Sequence, residues 1–175
     1  MKRFLRTLFS CMAILLSLLF PVAFPGSAAA QTPVTAPEEP TLQGRSVSRL
    51  EAMLLDSDPK QRLAAVVALR DAGISALPVF VWAFNDEDPN VRMAAVKSIG
   101  PFGAASQPAV PSLADLLLVD PIPAVKTQIV HTLGQIGPYA TDAVPALRRL
   151  QREADLTLRV NATQALDRIL VGQRP

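Results

Sequence analysis

One sixteen-residue pattern occurs four times in register, and a chain that repeats the same helix has few ways to fold. "DPKQRLAAVVALRDAG" begins at Asp58, "DPNVRMAAVKSIGPFG" at Asp88, "IPAVKTQIVHTLGQIG" at Ile122 and "DLTLRVNATQALDRIL" at Asp155, at spacings of 30, 34 and 33 residues. A basic residue falls in register as Arg62, Arg92, Lys126 and Arg159. So do a small or apolar row, Ala65, Ala95, Ile129 and Ala162, and a large apolar row, Leu69, Ile99, Leu133 and Leu166. The two rows stand four residues apart and therefore share one helical face. Gly73, Gly103 and Gly137 follow three of these helices. They predict a left-handed C-cap, which glycine alone adopts without a steric penalty.

Each pattern is followed by a second apolar segment. "ALPVFVWAFND", "AVPSLADLLLVD" and "AVPALRRLQRE" place Pro78, Pro111 and Pro145 near the start of another helix. A proline there removes no intrahelical hydrogen bond. A unit is thus helix, turn, helix. "SVSRLEAMLLDSD" reads as a second helix without its first, and "DLTLRVNATQALDRIL" as a first helix without its second. The expected architecture is all-α: an alpha solenoid of three full helix-turn-helix repeats with a half-repeat at each end. In such arrays each unit leaves apolar surface that only its neighbour covers.

The "DPxxR…AAxxLxxxG" pattern with "VPxLxxLL" resembles the HEAT repeats, most closely the short bacterial type named after phycobilisome lyase subunits, over nearly all of residues 46 to 171. The resemblance implies polar ladders between units and a concave face, lined by the second helices, that holds protein partners. Asp58, Asp88 and Asp155 each precede an Arg by four residues and stand where an N-cap accepts backbone hydrogen bonds. These residues are expected to be structural. The third unit departs from the pattern, with Ile122 in place of the acid and Asp120 two residues earlier. The ladder is open to interruption there.

Residues 1–30 read as a signal peptide. "MKRFLR" is cationic, "TLFSCMAILLSLLFPVAF" is apolar, and Ala28 and Ala30 occupy the two small positions before a cleavage site. The alternative is an uncleaved anchor, since the apolar run approaches spanning length, but Pro21 and Pro25 interrupt its end. Residues 31–44, with three prolines, read as a linker, and residues 45–173 as the repeat domain. Removal of Lys2, Arg3 and Arg6 leaves 14 Lys and Arg against 15 Asp and Glu, a net charge of −1. That balance gives no support for nucleic-acid binding, which needs a dense cationic surface. Cys11 leaves with the leader, so the exported domain has no thiol chemistry.

Little else carries chemistry. His131 lies beside the apolar stripe and has no second metal ligand in register; "DED" at 86–88 is too short for a calcium loop; "NAT" at Asn161 lies in a packing helix. No catalytic, cofactor or metal residues are expected, and an enzyme is not. The surface remains. With Phe80, Leu113 and Leu147 as core, the next rows of the second helices hold Trp82 near one end and Arg148, Arg149 and Arg152 at the other. These four are the candidate partner-binding residues, for an acidic protein segment; the alternative is Trp82 in the core and a solvated arginine face. The expected function is an exported protein-binding scaffold in the periplasm or an equivalent compartment. Alternatives are a phycobilin lyase-like chromophore-handling subunit, or a membrane-tethered assembly factor if the leader stays uncleaved.

Overall fold

The computed structural model describes residues 41–42, 45–152 and 155–171. The expected signal peptide lies outside the described residues, as does most of the expected linker. At the end of the expected linker β1 (Thr41–Leu42) pairs antiparallel with β2 (Arg45–Ser46), which opens the expected repeat domain. The other described elements are helices joined by short turns. The α-helices are α1 (Val47–Leu54), α2 (Pro59–Ala68), α3 (Leu77–Ala83), α4 (Pro89–Ile99), α5 (Val110–Val119), α6 (Pro123–Ile136), α7 (Val144–Leu150) and α8 (Leu156–Val171). Short 3-10 segments join α2 to α3, α4 to α5 and α6 to α7. Those are the three expected pairs, with α1 as the leading half-unit and α8 as the trailing one.

Prolines and aspartates set where the helices begin. Pro59, Pro89 and Pro123 occupy the first turns of α2, α4 and α6, and Pro78, Pro111 and Pro145 those of α3, α5 and α7. The Asp58 carboxylate accepts from the Lys60 amide at 2.9 Å, Asp88 from Asn90 at 2.7 Å and Asp155 from Thr157 at 2.7 Å. Each cap satisfies a donor that the helix itself leaves unpaired.

The repeated rows form the core. Ala65, Ala95, Ile129 and Ala162 are buried, as are Leu69, Ile99, Leu133 and Leu166 and, from the second helices, Phe80, Leu113 and Leu147. First helices pack in succession, α2 on α4, α4 on α6 and α6 on α8, while each second helix packs on the first helix of the next unit. The buried Thr132 hydroxyl of α6 donates to the Val96 carbonyl of α4 at 3.2 Å. That bond fixes one first helix against the preceding one.

The three glycines correct one expectation. Gly73, Gly103 and Gly137 have φ of 65°, 53° and 65°, but ψ of −143°, −122° and −132°. A left-handed cap needs ψ near about +47°; the observed values belong to the first central residue of a type II′ turn, where glycine is again required. In the first two units the α-helix ends earlier, at Ala68 and Ile99, and 3-10 backbone carries the chain to the glycine. No atom lies within 4 Å of a Cβ built on any of the three, so backbone conformation rather than space excludes a side chain. Residues 59–83 are long and apolar enough by count to cross a membrane. Gly73 breaks them into two helices, and Ala65, Val66, Phe80 and Ala83 are spent on the core.

Leu133 is fully buried in the large apolar row. Leu133→Asp places an unpaired carboxylate there and is expected to cost several kcal/mol, on the order of 4 or more. Hydrogen exchange should show α4 and α8 losing protection together with α6, because both pack on it. Normal protection in either neighbour would mean that the units do not share one cooperative core.

Candidate functional site

The charged rows build a ladder, and its rungs run between units rather than within a helix. The Arg62 guanidinium donates to both carboxylate oxygens of Asp86 at 2.8 Å, and to the Asp56 and Ser57 carbonyls of its own turn at 3.0 and 3.1 Å. Arg92 repeats the arrangement, binding Asp120 at 2.7 and 3.2 Å and the Asp86 and Glu87 carbonyls at 2.8 and 3.1 Å. Each arginine thus clamps the turn before its helix to the turn before the next. The acidic member is the residue two before the cap, not the cap itself. Asp120 therefore completes the rung from Arg92, and the absence of an acid at Ile122 removes the side-chain cap of α6 but not that rung.

A common local device aims these carboxylates. Asp56, Asp86 and Asp120 each accept the amide two residues on, from Asp58, Asp88 and Ile122, at 2.8, 2.9 and 2.8 Å. One oxygen is held by the backbone, and in Asp86 and Asp120 the carboxylate also receives the arginine of the preceding unit. The Arg92–Asp120 pair is almost dry, with side chains 11 % and 1 % exposed. A cleft bordered by Phe84, Leu116, Val119 and Ile122 opens above this pair. Both charges are consumed by each other and by backbone, which suits a brace and not a reaction.

On the second-helix face, Arg148, Arg149 and Arg152 are exposed at the end of α7 and in the turn after it, and among the described residues none forms a salt bridge. Arg148 and Arg149 are adjacent in the last turn of α7, and Arg152 follows four and three residues later in the turn beyond it. Trp82 of α3 is 36 % exposed and lies outside the core, against the alternative that it packs inside. It stands two units from the arginines along the array, so the four residues do not form one pocket. His131 is exposed, as expected of a residue beside the stripe, and borders a shallow polar cleft with Gln128, Asn161, Gln164 and Arg168 over Gly134. Sequence reasoning named His131 but not this cleft, because its walls come from helices 33 residues apart.

Residues 47–121 match the family model described as HEAT repeats. Residues 47–121 are HEAT repeats. No curated protein matches it. The match concerns HEAT repeats in general; the finer likeness to the phycobilisome-lyase type is not part of it. HEAT repeats serve generally as protein-interaction scaffolds and are typically non-enzymatic. The matched span contains α1 to α5 and both described rungs, so the ladder belongs to the repeat and not to a site grafted upon it.

The Arg62–Asp86 rung makes stability of the HEAT array depend on pH. Burial pushes the Asp86 carboxyl up, but the Arg62 hydrogen bond, the Asp88 amide and the charges of Arg62 and Arg92 together hold it below its ordinary value. The Arg62 guanidinium is correspondingly raised, chiefly by its hydrogen bond to Asp86. A depressed carboxyl binds its proton more weakly in the folded chain than in the unfolded one. Its stabilisation is complete above the unfolded value of about 3.9 and is lost as pH falls through the folded one. Asp86→Asn should lower the melting temperature at pH 7 and flatten its decline below about pH 4 relative to the parent. Asp120→Ala leaves Arg92 buried without its partner and should cost about 3–5 kcal/mol in denaturant unfolding. A loss under about 1 kcal/mol, typical of exposed pairs, would mean that the rung is solvated.

Proposed function

We infer that this chain is an exported, non-enzymatic scaffold that holds an acidic segment of a protein partner along its second-helix face. The observation that carries the reading is the cluster Arg148, Arg149 and Arg152, exposed and without an acidic partner among the described residues. Arg62 and Arg92, by contrast, pair with carboxylates of the next unit. Three guanidinium groups left together repel one another and add nothing to packing, whereas they can hold carboxylates bidentately. Trp82 supplies an aromatic contact two units away, suited to an apolar residue beyond the acidic stretch.

Export rests on the cationic start, apolar run and Ala28–Ala30 pattern of residues 1–30. The periplasm or an equivalent compartment is the destination this leader favours. Mass spectrometry of the chain from its native compartment should find its N-terminus at Gln31 or within a few residues. A full-length chain extracted only with detergent would reject export and favour a membrane-tethered factor.

Changing Arg148, Arg149 and Arg152 together to Ser is expected to leave the helical circular-dichroism spectrum and melting temperature nearly unchanged, since exposed charges contribute at most about 1 kcal/mol each. Binding to a partner captured by crosslinking should fall about tenfold or more at low salt, and what remains should lose most of its salt dependence. Equal binding by parent and triple variant would show that the arginines are a solvated face.

A further inference from the structure

The ladder stops at each end of the array with an unpaired member, and the two members have opposite charge. At the leading end, Asp56 has the same local geometry as Asp86 and Asp120: its carboxylate accepts the amide two residues on at 2.8 Å. Asp86 and Asp120 each receive an arginine from the unit before. Asp56 is exposed and, among the described residues, receives none. At the trailing end, Arg159 stands in register with Arg62 and Arg92. It too is exposed and, among the described residues, reaches no carboxylate.

The helices at the two ends are complementary in the same sense. Among the described residues α8 is a first helix without a second, and α1 is a second helix without a first. Placed together they make one complete unit, with α8 stacked on the next α2 as α2 stacks on α4. Val160 of α8 is 46 % exposed, while its counterparts inside the array, Leu63, Met93 and Thr127, are half-buried. Leu156 beside it is 64 % exposed.

We propose that this chain associates head to tail with a second copy of itself, α8 of one copy and α1 of the next forming a further repeat unit closed by an Arg159 to Asp56 rung. The contact is heterologous: each copy uses its trailing end on one neighbour and its leading end on another, so the assembly grows as an open array. Its strength is limited by polar residues at the joint. Gln61 is exposed where the inner units bury Val91, Val125 and Leu158, and Thr163 and Asp167 of α8 are exposed beside Val160. The association is therefore concentration-dependent and salt-sensitive rather than permanent. It is independent of the arginine face on α7, whose residues take no part.

Sedimentation velocity across a concentration series tests this, on the chain recovered from its own compartment so that any N-terminal processing has taken place. The weight-average sedimentation coefficient should rise with concentration past the dimer value, and less so at high salt. Arg159→Glu and Asp56→Arg should each shift half-association to about tenfold higher concentration or more, with unchanged circular dichroism. Arg159→Gln, which introduces no new charge, should weaken it less but in the same direction. The double variant, Arg159→Glu with Asp56→Arg, re-forms the rung with its charges exchanged and should associate again. A chain that stays monomeric throughout, single variants that associate like the parent, or a double variant that stays monomeric would each overturn the proposal.

Discussion

A helix of seven to sixteen residues with one apolar face cannot bury that face on its own, and every other feature of this molecule follows from the constraint. Isolated helices of this length are marginal in water, so packing must supply what propensity does not. Here the packing partner is always another copy of the same pattern. Ala65, Ala95 and Ala162 let first helices approach closely, and Leu69, Ile99, Leu133 and Leu166 fill the space behind them. Stability is accordingly a sum over neighbours, and no unit is expected to survive the loss of the one beside it.

Apolar stacking by itself is permissive about angle and offset; the ladder is not. A bidentate guanidinium fixes both the distance and the plane of its carboxylate. Arg62 and Arg92 also hold two carbonyls of their own turn, so each spans two consecutive inter-unit turns. The carboxylate is in turn held by an amide two residues on. These nested bonds define how far each unit is rotated on the last. They also explain why such charged residues sit next to the core of a HEAT array.

The same logic separates the arginines that brace from those that do not. Arg62 and Arg92 are largely covered and fully committed, while Arg148, Arg149 and Arg152 project from α7 and its following turn. The arginine face is where we propose that a partner binds, and the ends of the array are where we propose that a second copy docks. At both, charges stand where the interior of the molecule has answered them and the surface has not.

The sequence by itself determined the class, the number of units and the half-units at the ends, because a periodic apolar face is a local property of each segment. It also determined the caps at Asp58, Asp88 and Asp155, whose hydrogen bonds reach only two residues along the chain. It misassigned the glycines, because a positive φ can be inferred from residue type whereas ψ depends on how the following turn is anchored. Only the tertiary structure decided the partners of Arg62 and Arg92. Two acids lay within reach of each along the sequence, the cap and the residue two before it, and both readings satisfied the spacing. The choice fell to the next unit's acid, 24 and 28 residues away, because stacking brings that turn against the arginine while the cap carboxylate is already occupied by its helix. Trp82 was undecided for the same reason: whether an aromatic ring on a second helix is covered depends on the neighbouring unit, and here the ring remains 36 % exposed.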